Sequence, residues 1–176
     1  MSRDFIAVGG SSIATQDGII SARGLLHLFE LDFANLKLRM FQKQAIETVV
    51  SDINFHSGFL ILSLGSVIQV LRLGAKNTLK MIFTYPMDSV MITNSAVRSN
   101  GILFSDARRG IFMTTFKTPP NAPVTRLNLR AESTAFAPVA VQYFRFSKMQ
   151  AVQYLVADQD RNLRIQSFYI NNSKML

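Results

Sequence analysis

Short apolar runs separated by small or acidic turn residues recur along the whole chain. Gly24 leads into Leu25-Leu26-His27-Leu28-Phe29-Glu30-Leu31, and Ser66 into Val67-Ile68-Gln69-Val70-Leu71-Arg72-Leu73. Gly110 likewise precedes Ile111-Phe112-Met113-Thr114-Thr115-Phe116, and Asn162 precedes Leu163-Arg164-Ile165-Gln166-Ser167-Phe168. These starts are spaced by about 42, 44 and 52 residues, and a period in the forties suits a repeated unit of four strands. Each aligned strand follows another that ends in a small or acidic turn, the punctuation of a hairpin, at 5–9, 59–65, 102–106 and 154–158. A further apolar strand is predicted upstream at 48–55, 89–97 and 138–146, and an outer strand downstream at 36–41, 79–85 and 124–129.

The interior strands are apolar on both faces or nearly so, as expected of sheets sandwiched between neighbours. Helical spacing is scarce. Residues 41–53 could be argued as helix, but Thr48-Val49-Val50 followed by Ile53 favours strand. Pro119-Pro120-Asn121-Ala122-Pro123 reads as a loop, since its prolines cannot donate to a ladder. The polar segment 11–22, containing Asp17-Gly18, reads as another loop. The pattern therefore predicts an all-β fold of about three to four four-stranded blades of a β-propeller. No composition break marks a second domain, so residues 1–176 are read as a single partial propeller domain, an incomplete ring. Open blade faces are interaction surfaces, and we expect more chain or a partner to cover them.

Composition supports a folded chain, with 48% apolar and 17% charged residues. Without cysteine there is neither a disulfide framework nor a thiolate metal site, and a reducing compartment such as cytosol or nucleus fits. No secretion signal or membrane span is visible: the apolar stretch 59–73 is interrupted by Ser63, Gly65, Ser66, Gln69 and Arg72. The formal charge of +8, from 19 Lys plus Arg against 11 Asp plus Glu, makes polyanions plausible partners. The basic residues are scattered, however, as on solvated strand faces and loops.

Candidate chemistry is sparse. Asp158-x-Asp160-x-Asn162 matches the first ligands of a calcium loop, but the loop's glycine and bidentate glutamate positions hold Leu163 and Tyr169, which leaves an Asx-stabilised turn. His27 falls at a strand position filled by Gln69, Met113 and Ile165 in the other repeats, and His56 lies in a turn, so no zinc site is expected. Ser11, Ser12 and Ser66 lie outside any nucleophile elbow, and Gly9-Gly10-Ser11-Ser12 lacks phosphate-loop spacing. We therefore expect no catalytic residue, metal or cofactor. The structural turns are assigned to Gly24, Asp106, Gly110, Asp158, Asp160 and Asn162. For nucleic acid the candidates are Arg108 and Arg109 beside Phe104 and Phe112, and Arg145 and Lys148 beside Tyr143 and Phe146, because single strands bind cationic grooves with stacking rings. Against this, propeller aromatics mostly fill the core between blades.

Three segments, in order, resemble the family that contains the largest cleavage and polyadenylation specificity factor subunit, the large subunit of damaged-DNA-binding protein and a spliceosomal propeller subunit. Phe5-Ile6-Ala7-Val8-Gly9 followed by Ala22-Arg23-Gly24-Leu25-Leu26-His27-Leu28-Phe29-Glu30-Leu31 resembles its strand, loop, Arg-Gly and second strand. Asn100-Gly101-Ile102-Leu103-Phe104-Ser105-Asp106-Ala107-Arg108-Arg109-Gly110-Ile111 resembles its Asn-aromatic-Ile-Leu, small residue, Asp turn. Val156-Ala157-Asp158-Gln159-Asp160-Arg161-Asn162-Leu163 resembles its Asp-x-Asp-x-Asn-Leu turn, with Arg161-Asn162-Leu163 most similar to the polyadenylation branch. Gly101 stands where an aromatic is usual and Ser105 where a glycine is usual. The further propellers and helical C-terminal part of a full-length member are absent from this sequence. The resemblance implies the C-terminal propeller region of a nuclear, non-catalytic scaffold for pre-mRNA 3′-end processing, which holds WD-repeat and zinc-finger subunits and makes at most secondary contact with RNA. The same resemblance leaves open a damaged-DNA-binding-type adaptor of a ubiquitin ligase, or a spliceosomal propeller subunit.

Overall fold

The computed structural model describes residues 5–74, 78–87, 91–98, 101–108, 110–115, 129–132, 138–144 and 152–168. Among them there are strands and turns and no helix. The chain divides into two compact units. In the unit Met1–Asp88, β1 (Phe5–Gln16), β2 (Ile19–Asp32) and β3 (Lys37–Ile46) form one sheet in that order; β4 (Val50–His56), β5 (Phe59–Leu64), β6 (Val67–Leu73) and β7 (Leu79–Pro86) form a second. In the unit Ser89–Leu176, β8 (Ile92–Arg98), β9 (Gly101–Asp106), β10 (Gly110–Thr115) and β11 (Leu129–Glu132) make a third sheet. The fourth consists of β12 (Pro138–Phe144), β13 (Val152–Asp158) and β14 (Leu163–Phe168). Every sheet is an antiparallel meander in chain order, the build of a propeller blade. The fold is all-β, in four blade-like sheets of three or four strands, as the repeat predicts.

The sheets repeat down to their irregularities. Where a first strand meets the end of the second, one extra residue is inserted: Ser51 before the Asp52–Ser63 pair, Thr93 before Asn94–Ser105, and Val139 before Ala140–Ala157. Such a bulge bends the strand and increases its twist. The Ser51 hydroxyl donates to the Ser63 carbonyl at 3.0 Å, and Thr93 Oγ1 to the Ser105 carbonyl at 3.3 Å. The shared bulge makes Ser63, Ser105 and Ala157 equivalent, and their partners on the third strands are Ile68, Ile111 and Leu163. Sequence alignment of Val67 with Ile111 is therefore one residue off, because the turn after Asp106 is longer than Gly65-Ser66. In this register the counterparts of Gln69 are Phe112 and Arg164, not Met113 and Ile165.

The first sheet corrects two further expectations. Residues 11–22 are not a loop: β1 and β2 pair continuously from Phe5 opposite Glu30 to Gln16 opposite Ile19. The reversal is Asp17-Gly18, with φ of 51° and 77°, both in the left-handed region that a two-residue hairpin turn demands and that glycine and aspartate tolerate. Gly24 is consequently no turn residue, since it lies inside β2 between Ser11 and Ile46. Its small size serves close approach: a Cβ there would overlap the Thr48 carbonyl oxygen and come within 2.9 Å of Val50 Cγ2. The outer strand expected at 124–129 is seen as β11, which starts only at Leu129; 119–123 and the rest of that segment lie outside the described residues.

Each unit has its own apolar core between its two sheets. In the first, Leu26, Leu28 and Ile46 pack with Leu60, Leu62, Leu64 and Leu71, joined by Ala7, Phe41, Val50 and Ile53. In the second, Leu103, Ile111 and Met113 pack with Val141, Tyr154 and Val156. The interior strand β5 is buried at every residue, Ser63 included, which explains its unbroken apolar run.

Candidate functional site

Two hairpin turns carry the carboxylates singled out in the sequence. Asp106 closes β9 and is fully buried. Its Oδ1 accepts from the Arg108 backbone N–H at 2.8 Å and its Oδ2 from the Met91 N–H at 3.1 Å, so one side chain orders the turn and anchors the entry to β8. Gly110, with φ 105°, opens β10 opposite Asp106. Asp158 occupies the equivalent place at the end of β13. Its Oδ1 accepts from the Asn162 N–H at 2.8 Å, and Asn162 Nδ2 and Arg164 Nε both approach Oδ2 at 3.1 Å. Burial on its own would raise the Asp158 carboxyl, but the Asn162 hydrogen bonds and the Arg164 guanidinium outweigh it and hold the group below its ordinary value. Asp160 and Asn162 sit exposed in the turn, with Arg161 left-handed at φ 66°. This is an Asx-stabilised turn whose carboxylate oxygens are committed to protein donors.

A polar seam ties the third sheet to the fourth. Thr93 Oγ1 lies 3.4 Å from the Pro138 carbonyl oxygen, and Asn94 Oδ1 accepts from the Val141 N–H at 2.8 Å. Gly101 completes it: a Cβ there would stand 2.8 Å from the Tyr143 hydroxyl oxygen. A side chain at position 101 would therefore run into a tyrosine from β12. Burial pushes the Tyr143 phenol above the ordinary tyrosine range despite the opposing charge of Arg98.

Of the basic candidates, Arg108 is exposed in the β9–β10 turn. Its intended stacking platform is not free, because Phe104 is buried and stacks on Phe112 with centroids 5.3 Å apart and planes at 7°. Arg109, Arg145 and Lys148 lie outside the described residues. His27 is half-buried beside Phe29, with ring centroids 6.2 Å apart, and His56 is the last residue of β4 rather than part of the Ser57-Gly58 turn. Among the described residues no three His, Asp or Glu side chains are grouped to hold a metal.

What the chain does offer is surface. Apolar side chains stay exposed on the first and last sheets, with Ile6, Val8, Ile13 and Ile19 on one and Leu163 and Ile165 on the other. The extended ribbon of β1 and β2 beyond Gly24 is hidden in the sequence by its polarity, although Asp17-Gly18 is the signal that could have found it.

A search of curated proteins returned no match. The family model described as the CPSF A subunit region matches residues 1–174. Four blade-like sheets under a match that spans nearly the whole sequence place this chain in the CPSF A subunit region family.

Proposed function

We propose that the protein is a non-catalytic scaffold of the nuclear machinery that cleaves and polyadenylates pre-mRNA, and that it holds WD-repeat and zinc-finger subunits of that complex. The observation that carries this reading is the family match across residues 1–174, together with the Arg161-Asn162-Leu163 turn that resembles the polyadenylation branch. The geometry supports a platform role. The buried carboxylates serve turns, the aromatic pair Phe104–Phe112 serves the core, and exposed apolar residues remain on the first and last sheets. Contact with RNA, where it occurs, is electrostatic and runs through exposed cations such as Arg108.

Purification of the protein tagged at its own locus, followed by identification of what co-purifies, tests the proposal. Polyadenylation subunits are expected. A cullin-containing ligase would replace this reading with the damaged-DNA-binding-type adaptor, and splicing subunits would replace it with the spliceosomal one.

A further inference from the structure

We propose that His56, Arg72 and Lys80 form a row that binds the phosphodiester backbone of single-stranded RNA. The site lies wholly within the first compact unit, and it rests on the scaffold reading only for the choice of RNA as the polymer. Residues far apart in the sequence meet here through register. His56 on β4 is opposite Phe59 on β5, Phe59 is opposite Arg72 on β6, and Arg72 is opposite Lys80 on β7. Residues directly opposite share a face of the sheet, so the row crosses all four strands on one face, over three strand spacings or about 14 Å. The Arg72 guanidinium shows the shared face directly, since its Cζ stands 6.0 Å from the centroid of the Phe59 ring.

Two features mark the row as an anion site. Like charges directly opposite each other repel, yet Arg72 and Lys80 occupy such a pair, and both are exposed. No carboxylate relieves them: among the described residues neither forms an ion pair, and the row itself holds no acid. The acid on the same face of β4 is Asp52, four residues before His56 and so about 13 Å along the strand, beyond a screening length of about 8 Å. It already accepts from Asn54 Nδ2 at 3.0 Å. The acids of β2, Glu30 and Asp32, face Arg39 and Lys37 across their own ladder. A phosphate between Arg72 and Lys80 turns the repulsion into two attractions, with the planar guanidinium fork on one side and the ammonium on the other.

The chemistry of the row favours a nucleic-acid strand over an acidic protein segment. Protein interfaces draw their affinity from an apolar, desolvated centre. Phe59, the apolar member of this row, is only 8% exposed and lies under Arg72. Single strands instead take cations beside a ring on which a base stacks. Here the half-buried His56 ring stands on the edge strand, across β5 from Arg72, where it can receive a base while the backbone runs over Arg72 and Lys80. Register alone assembles these residues, which is why the cations look scattered in the sequence.

The test is fluorescence anisotropy of the full chain, without other subunits, with a labelled oligouridine of about 12 nucleotides, a length within the span such sites cover. Arg72→Gln and Lys80→Gln should each weaken binding at least about fivefold at low salt, and each should lower the slope of log affinity against log salt by about 0.7, the share of one phosphate contact on a single strand. Arg39→Gln removes a cation already opposite Glu30 and should do neither. His56→Ala should weaken binding and His56→Tyr should restore it, because the position supplies a ring. Lys80→Gln relieves the opposed charges and should preserve or raise the urea midpoint, so that its loss of binding is not a loss of fold. No binding at low salt, equal losses for Arg39→Gln, or a labelled oligoglutamate of the same charge bound as tightly would each overturn the proposal. None of these results touches the scaffold reading, which is decided by the subunits that co-purify.

Discussion

Replacing Gly101 by alanine puts a methyl 2.8 Å from the Tyr143 hydroxyl oxygen, well inside ordinary contact, while the next Tyr143 atom, Cζ, is 3.8 Å away. The clash is therefore with the hydroxyl alone. Overpacking of this kind costs about 1–3 kcal/mol, and the tight seam between the third and fourth sheets leaves the ring little room to retreat. Tyr143→Phe removes the clashing atom. It also removes a buried hydroxyl that has no hydrogen-bond partner among the described residues, so the single change should be neutral or stabilise by up to about 1–3 kcal/mol. In the Tyr143→Phe background, Gly101→Ala meets nothing closer than ordinary van der Waals contact and gains about 0.5–1 kcal/mol from the stiffer unfolded chain. Urea unfolding of the four proteins gives the coupling energy directly, expected at about 1–3 kcal/mol. Because burial holds the Tyr143 phenol protonated well above neutral pH, the result should be the same at pH 6 and pH 8. Equal costs for Gly101→Ala in both backgrounds would refute the reasoning and with it the assigned contact between β9 and β12.

Three further outcomes follow from the turns and the core. Asp106→Ala strands the Met91 and Arg108 amides and should cost about 2–4 kcal/mol, whereas Asp160→Ala, in an exposed turn position, should stay within about 0.5 kcal/mol by the same unfolding assay. The Asp158 carboxyl is depressed in the folded state, so its contribution is complete above the ordinary aspartate range near pH 4 and is lost as pH falls through the lower folded value; Asp158→Asn should flatten stability against pH in that acid window, as followed by circular dichroism. Leu62→Ala, at a fully buried site between the first two sheets, should cost about 2–5 kcal/mol, and retention of wild-type stability would contradict the packing assigned to that core.

Much of the fold is legible in the sequence because its punctuation is chemical. Asp158, Asn162 and Gly110 mark hairpin turns, and the unbroken apolar run of β5 announces a strand buried on both faces. What the sequence conceals has physical reasons as well. A bulge inserts a residue without changing composition, so Ser51, Thr93 and Val139 look like ordinary strand positions, and the one-residue slip between Val67 and Ile111 follows from a turn length that no residue type dictates. Residues 11–22 resemble a loop because an exposed ribbon has no buried face to impose apolar alternation; only the left-handed Asp17-Gly18 pair betrays the hairpin. Gly24 suggests a turn, yet its size answers to Thr48 and Val50 arriving from outside its own strand. Likewise the sequence places Phe104 beside Arg108 but cannot tell that the ring is turned inward onto Phe112.

The claim that the protein joins other proteins, rather than being gathered with them on a transcript, is tested most directly by nuclease treatment during purification of the tagged protein. Stoichiometric WD-repeat and zinc-finger subunits should remain bound after the RNA has been digested. Their loss on digestion, with the tagged protein left alone in solution, would contradict the account.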